Sequence, residues 1–273
     1  PWLPEGGNPD SGGFMAMTYS EGSQNVTVLF PDPSEGQGDN EIIESFTFTC
    51  DLRVGNGSTD RPADGFSVSV ARDSDPLLAD PENVATGDFA GGIPEGGSTT
   101  GIAVSFDTWA GNALPDGADI EGIIVRVDNK TILRESLPTR HGACDDVTSL
   151  QTGPRDADYW TTGLADPRDP EVWQDLCWQP FGIAVTKDGA VTVDWKGNKI
   201  LDAFPTDWFA TKGQVIFAGR TGGSNESTHV DNLSLTATLV PATDVPPAPG
   251  NLEAPLVGAG FAQLTWDPSD TTD

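Results

Sequence analysis

Nearly every patterned segment of this 273-residue chain alternates apolar and polar side chains with a period of two residues. Successive side chains of a β-strand point to opposite faces, so the alternation is typical of strands with one buried face. No segment of the sequence carries the apolar stripe and end caps of an amphipathic helix. The predicted strands cover residues 26–30, 45–54, 65–71, 101–109, 122–127, 181–186, 190–195, 214–218 and 233–240. Many such strands without helices predict an all-β fold, an antiparallel β-sandwich.

One β-hairpin is predicted by its turn residues. The stretch FGIAVTKDGAVTVDW places Asp188-Gly189 between two alternating segments. Glycine readily adopts the positive φ that tight two-residue turns require. We therefore expect the strands on either side of this turn to pair antiparallel.

The charge balance argues against two classes of partner. Asp and Glu number 42 against 14 Lys and Arg, which gives a formal net charge of -28. Nucleic-acid phosphates and anionic membrane surfaces would both be repelled. No apolar run approaches the roughly 20 residues of a membrane span. We expect no nucleic-acid partner and no membrane insertion; the acidic surface either attracts cations or serves solubility alone.

The cysteines allow two interpretations. Cys50 shares a strand face with Phe46, Phe48 and Leu52, which predicts a buried thiol that packs as a small apolar group. Cys144 and Cys177 flank an irregular segment, so they form either a disulfide or two free thiols. We favour the disulfide, which indicates an oxidising compartment. The abundance of Gly, Pro, Asp and Thr with few Lys leads us to expect a secreted or cell-surface bacterial protein.

The segment GIAVSFDTWAGN, residues 101–112, carries the strongest functional signal. Its alternation predicts a half-buried strand with Ser105, Asp107 and Trp109 on the face opposite the apolar one. Asn112 follows in a Gly-containing loop. A carboxylate, an indole and a carboxamide together suit a hard cation and a polyhydroxylated ring. This pattern predicts sugar binding, with calcium as the ordering ion.

Four loops in sequence order extend this signal to a family resemblance. Their sequences are RPADGFSVSV, FAGGIPEGGS, AVSFDTWAGN and FAGRTGGSNESTHVDNLSL. In this order they resemble the sugar-binding loops of L-type (legume-type) lectins, within the concanavalin A-like lectin/glucanase superfamily. The resemblance covers about residues 14–240. It implies a concanavalin A-like antiparallel β-sandwich of the jelly-roll type.

The resemblance also implies residue roles. Asp64 would accept hydrogen bonds from sugar hydroxyls beside a cis Ala63–Asp64 peptide, and the Trp109 ring would stack on the sugar. The full set of implied sugar contacts is Asp64, Gly92, Trp109, Asn112, Gly222 and Gly223. The implied Ca²⁺ ligands are the Asp107 carboxylate, the Trp109 carbonyl, Asn112 and an oxygen from Asp116 or Asp119. Three of these residues have an alternative role: Asp64 as a turn cap, Asp107 as a solvated edge acid and Trp109 as a core residue.

Three departures from the family pattern bear on the site. Ser105 stands where the family has a metal-binding Glu, and the accompanying His has no counterpart, so we expect no transition-metal site. Gly111 stands where the calcium-binding Asn normally lies, with Asn112 one residue later. The insertion over residues 137–180 is expected to cover or rebuild the site, with Trp160, Trp173 and Trp178 as loop anchors or sugar platforms.

A Pro-rich stretch divides the predicted domains. Residues 1–240 form the lectin-like domain, residues 241–250 read as a stiff linker, and residues 251–273 resemble the opening strands of a fibronectin type III domain. The tail is too short for a complete domain of that kind. We expect it either to belong to a longer modular protein, with protein partners bound through adjoining domains, or to pack on the main domain.

Three functions remain open from the sequence. The first is a calcium-ordered carbohydrate-binding module that takes a glycan or polysaccharide. The second is an adhesin-like assembly module in which calcium only stiffens the fold. The third, a glycan hydrolase or lyase, lacks the Glu-x-Asp-x-x-Glu pattern of the related glucanases, and the strand at residues 121–128 places its acids on opposite faces. We therefore expect no enzyme.

Overall fold

The structure is a computed structural model of the chain. It describes residues 1–9, 12–34, 40–57, 62–79, 94–110, 120–139, 143–153, 172–173, 175–242, 250–258 and 261–267. None of the helices in these ranges is long and apolar enough to cross a membrane.

Strands dominate these ranges. In chain order they are β1 Trp2–Leu3, β2 Phe14–Thr18, β3 Asn25–Leu29, β4 Glu41–Gly55, β5 Gly65–Arg72, β6 Ile102–Asp107, β7 Gly122–Val127, β8 Lys130–Ser136, β9 Gln179–Val185, β10 Ala190–Trp195, β11 Asn198–Pro205, β12 Gly213–Arg220, β13 Ser227–Pro241, β14 Gly250–Gly258 and β15 Phe261–Asp267. The helical elements are α1 Pro76–Ala79 and a 3-10 turn, Pro94–Gly96.

Two antiparallel sheets contain the first thirteen of these strands. The seven-stranded sheet has the order β1-β2-β13-β4-β9-β10-β11, and the six-stranded sheet has the order β3-β12-β5-β6-β7-β8. Strands β14 and β15 pair with each other in a separate hairpin. The predicted all-β antiparallel sandwich is confirmed.

Aromatic rings from both sheets meet in the core. Phe106 of β6 packs edge-on against Phe181 of β9 and Trp195 of β10, with ring centroids 5.1 and 5.2 Å apart. Phe66 of β5 stacks on Phe106 at 4.4 Å. These rings are at most 2% exposed, so the contact between the sheets is dry and apolar. Cys50 lies in the same core at 3% exposure, as predicted.

The strand predictions hold best in the sheet interiors. The predicted hairpin is confirmed: Val185 of β9 lies opposite Val191 of β10, and Gly189 turns with a φ of 78°. Strands β8 and β11 were not predicted. Both lie at sheet edges, where several residues are exposed, so no clean apolar face marks them.

The prediction of a half-buried strand at residues 101–109 is wrong in two respects. Strand β6 ends at Asp107, and all six of its residues are buried. The 3-10 turn Pro94–Gly96 covers the second face of the strand, where the Ser105 hydroxyl donates to the Glu95 carbonyl and the Ser67 hydroxyl to the Pro94 carbonyl. The two-residue alternation indicates one apolar face, but it does not show what packs on the other.

The described part of the insertion covers the outer face of the seven-stranded sheet. There the Arg53 guanidinium of β4 lies 4.1 Å from the Trp173 ring centroid and 4.3 Å from that of Trp178. Arg53 also donates from Nε to Nδ1 of His229, the residue opposite it on β13. Cys144 and Cys177 are joined by a disulfide with Cα atoms 5.6 Å apart. Trp173 is therefore an anchor between insertion and sheet; Trp160 lies outside the described residues.

The domain division stays a prediction. Residues 243–249 of the predicted linker lie outside the described ranges. Strands β14 and β15 give the segment after it a two-stranded antiparallel sheet. A hairpin of this kind also forms in many folds other than fibronectin type III, so it does not by itself identify the domain type.

Candidate functional site

The site is built where the ends of β5, β6 and β12, three neighbouring strands inside the six-stranded sheet, lie side by side; we call this row of strand ends the site edge. Gly65, the first residue of β5, lies opposite Asp107 of β6 on one side and opposite Arg220 of β12 on the other. Its φ is 133°, and a Cβ at this position would lie 2.2 Å from the Phe106 carbonyl oxygen. Only glycine fits at this position of the strand pairing. The pairing brings the chain neighbours of Gly65, Asp107 and Arg220 close together.

Asp64 lies at the centre of this edge, directly before β5. The Ala63–Asp64 peptide bond is cis. The Asp64 N–H donates to the Arg220 carbonyl over 3.2 Å, and the Asp64 carbonyl accepts from the Thr108 N–H over 3.1 Å. The backbone of Asp64 is thus tied to both neighbouring strands, which holds its side chain in one place.

The Asp64 carboxylate is enclosed but accepts no hydrogen bond from the residues that the structure describes. Its side chain is 13% exposed, and its nearest cation is Nη2 of Arg220, 3.8 Å from Oδ1. Burial raises the pKa of Asp64, and the charge of Arg220 opposes this shift. Carboxylates enclosed to this degree normally accept several hydrogen bonds, so this carboxylate can take donors from a ligand.

The Thr221-Gly222-Gly223 loop forms one wall of the site. A Cβ on Gly222 would lie 3.0 Å from Oδ2 of Asp64, so this glycine lets the loop approach the carboxylate. The Gly222 carbonyl accepts from the Ser23 N–H over 3.0 Å. Gly223 is exposed, and a Cβ there would meet nothing within 4 Å. The structure thus places Gly222, but not Gly223, against Asp64.

Asp107 and Trp109 follow one another around the end of β6. Asp107 is fully buried, and its Oδ1 accepts from the Trp109 N–H over 2.9 Å. The alternative that Asp107 is a solvated edge acid is therefore wrong. The Trp109 side chain is half-buried beyond the end of the strand. It is not part of the apolar core clusters of the described residues.

An ion pair between a half-buried arginine and a buried glutamate, which the sequence analysis did not identify, adjoins Asp64. Arg220 donates from Nε to both Glu95 oxygens at 2.9 Å, and from Nη2 to Oε1 at 2.7 Å. Glu95 is fully buried in the 3-10 turn that covers β6. Burial raises the pKa of Glu95, and the hydrogen bond and charge of Arg220 oppose the shift.

A second buried acid lies behind the loop that follows β6. Glu226 accepts at Oε1 from the Thr108 hydroxyl over 2.8 Å, and its Oε2 has no hydrogen-bond partner in the described part of the chain. Burial raises the pKa of Glu226 to about 8, and the negative charges of Asp64 and Glu121 add to the shift, while the Thr108 hydrogen bond opposes it. With no ion bound at Asp107, we therefore expect Glu226 to be a neutral acid at pH 7.

Four predicted site residues, Gly92, Asn112, Asp116 and Asp119, lie outside the described residues. Within the described ranges, no group of three His, Cys, Asp or Glu side chains is arranged to hold a metal ion.

The comparisons with known proteins find lectin domains at low similarity. The exoplasmic/lumenal domain of VIP36, solved with Ca²⁺ and Man3GlcNAc, is 12% identical over 88% of this chain and 84% of that one, with a TM-score of 0.48. A Lotus tetragonolobus seed lectin is 15% identical over 88% and 93%, with a TM-score of 0.48. The Emp47p carbohydrate recognition domain is 12% identical over 86% and 88%, with a TM-score of 0.42. At these values the likeness assigns neither a family nor a function. No protein-family model and no curated protein matches the chain.

The neutral state of Glu226 predicts how stability changes with pH. The unfolded chain releases this proton near the ordinary pKa of 4.5, whereas the folded protein keeps it up to about 8. Stability from this group is therefore full below pH 4.5 and is lost as pH rises towards 8. Glu226→Gln keeps the neutral shape, so its melting temperature should exceed the wild type by about 10 °C or more at pH 8.5, where about 5 kcal/mol has been lost, and match it near pH 4.

Thermal unfolding followed by circular dichroism across this pH range measures the difference. Glu5→Gln, on an exposed glutamate, is the matched control and should follow the wild type throughout. A Glu226→Gln difference that does not vary with pH would contradict a neutral buried acid.

Proposed function

We propose that this protein is a calcium-ordered, lectin-like carbohydrate-binding module that holds its glycan at Asp64. The observation that carries the proposal is the Asp64 carboxylate, which is enclosed by three strand ends yet accepts no hydrogen bond from the described residues. Sugar hydroxyls are donors of the right kind, because hydrogen bonds to a carboxylate are about twice as strong as neutral ones.

The neighbours of Asp64 suit a sugar ring. In the proposed site, the half-buried Trp109 side chain would offer an aromatic face to the apolar C–H patches of a pyranose. Gly222 keeps the opposite wall close to the carboxylate. Gly92, Asn112 and Gly223 complete the proposed contacts, with roles that come from the resemblance to L-type lectins. The proposed activity is binding, and it includes no reaction step.

Calcium would be held by oxygen atoms around the end of β6. The proposed ligands are Asp107, the Trp109 carbonyl, Asn112 and either Asp116 or Asp119. The donor set fits the ion, because every member supplies oxygen and Asp107 is a carboxylate withdrawn from solvent. When bound, calcium would order the loop that contacts the sugar. The hydrogen bond from the Trp109 N–H to Asp107 already links the proposed ion site to the proposed sugar platform.

We place this module in a secreted or cell-surface bacterial protein, with a fibronectin type III-like segment following residue 250. The net charge of -28 supports a partner that is not anionic, such as a neutral glycan.

The sugar site is tested by calorimetry with glycans selected on an array. Asp64→Asn removes the charged acceptor and should weaken binding about tenfold to a hundredfold. Trp109→Ala should weaken binding by a similar factor through loss of the ring face. Asp188→Asn, in the exposed turn of the β9–β10 hairpin, is the control and should bind as the wild type does.

Unchanged binding in both site variants would contradict the site assignment. A folded wild type that binds no glycan would overturn the proposed function and favour the alternative of an assembly module stiffened by calcium.

The calcium proposal predicts a stability difference between metal-loaded and chelated protein. Binding to the folded state at a hundred times Kd adds about 2.7 kcal/mol, so the melting temperature should rise by about 5 °C or more relative to EDTA. Asp107→Asn should remove most of this increase, whereas Asp188→Asn should retain it. Equal melting curves in Ca²⁺ and EDTA for the wild type would contradict the proposal.

A further inference from the structure

The guanidinium of Arg220 is held in a fixed orientation at the proposed sugar site. Glu95 accepts from Nε at both oxygens and from Nη2 at Oε1, over 2.7 to 2.9 Å. Glu95 is fully buried, so neither partner is free to turn away. A planar fork of donors held on one edge presents its remaining N–H groups in known directions.

The rest of this guanidinium is available to a ligand. Nη1 of Arg220 donates to no residue in the described ranges, and the side chain is 29% exposed. Nη2 lies 3.8 Å from Oδ1 of Asp64. A fixed donor and a fixed acceptor therefore lie side by side at the ends of β12 and β5.

The charges around this pair favour an uncharged ligand. Glu95 neutralises Arg220 through a bidentate contact, which leaves the Asp64 charge without a full partner. Asp107 also faces Arg220, but calcium bound there would offset its charge, so the negative charge that a ligand meets is that of Asp64. A carboxylated or sulfated sugar would be repelled, whereas hydroxyl groups both donate and accept hydrogen bonds.

We propose that Arg220 is a sugar-contacting residue that reads, together with Asp64, two adjacent hydroxyl groups of a neutral sugar. One hydroxyl donates to the Asp64 carboxylate, and its neighbour on the ring accepts from Arg220. Glu95 acts as the positioning residue for the guanidinium. This inference rests on the proposed function and names its substrate class, a neutral sugar with a vicinal diol.

The arrangement explains why an arginine is needed here. Its fork reaches Glu95 with one edge and leaves N–H groups for the sugar, without losing rotational freedom on binding. A lysine carries one ammonium group at the end of a flexible chain, so it cannot reproduce both contacts at their present positions. Arg220→Lys therefore keeps the charge but removes the paired geometry.

The test combines protein variants with deoxy sugars. The methyl glycosides of glucose, mannose and galactose are titrated into four proteins: the wild type, Arg220→Lys, Asp64→Asn and the control Asp188→Asn. The monodeoxy forms of whichever sugar binds are then titrated in the same way.

Arg220→Lys should weaken binding of the parent sugar about fivefold to fiftyfold. The wild type and Arg220→Lys should bind with equal affinity to the one deoxy analogue that lacks the hydroxyl contacted by Arg220. Asp64→Asn should show the same dependence on the adjacent hydroxyl. The corresponding uronic acid should bind the wild type more weakly than the neutral sugar.

Several results would overturn the inference while leaving the proposed function intact. One is wild-type affinity in Arg220→Lys with a native circular dichroism spectrum. Another is an equal loss for every deoxy analogue, which would make Arg220 a support of the loop only. A tighter complex with the uronic acid would overturn the neutral-sugar assignment. If the folded wild type binds none of the neutral sugars or array glycans, the proposed function fails first, and the inference fails with it.

Discussion

The pairing of Gly65 with two strands at once is the constraint on which the site depends. Gly65 lies opposite Asp107 on β6 and opposite Arg220 on β12. Its φ is 133°, and a Cβ at this position would lie 2.2 Å from the Phe106 carbonyl oxygen, so no side chain fits there. A larger residue would push β6 away from β5 and separate Asp64 from Thr108. The register of the three strands thus sets the distances among the polar groups at the strand ends. The loops that continue from these strands start at those fixed positions.

Three of the acids enclosed at this edge have different electrostatic environments. Glu95 is paired with Arg220, Glu226 is kept neutral by burial, and Asp64 keeps a carboxylate with no hydrogen bond from the described residues. Enclosing an acid without donors lowers the stability of the folded state, because water is removed and not replaced. A ligand that supplies the missing donors recovers that free energy on binding. The same arrangement that weakens the fold locally therefore favours a hydroxyl-rich ligand.

The sequence predicts the sandwich and part of the site, and the rest depends on contacts between distant segments. The alternation of side chains predicts most sheet-interior strands, and the motifs draw attention to Asp64, Asp107 and Gly222. Arg220 was missed although it directly precedes the Thr-Gly-Gly loop, because its partner Glu95 is 125 residues away. Glu226 was missed for the same reason, since Thr108 lies 118 residues from it. The burial of the polar face of β6 at Ser105 depends on a turn packed over the strand, which a two-residue pattern does not encode.

The central claim is that a neutral sugar binds between Asp64 and Arg220. A crystal structure of the protein soaked with a neutral methyl glycoside and calcium chloride tests it most directly. The account predicts one pyranose with a hydroxyl oxygen within hydrogen-bond distance of the Asp64 carboxylate and its ring neighbour within the same distance of an Arg220 N–H. A sugar bound elsewhere on the sandwich, with this edge holding only water at saturating ligand, would contradict the account.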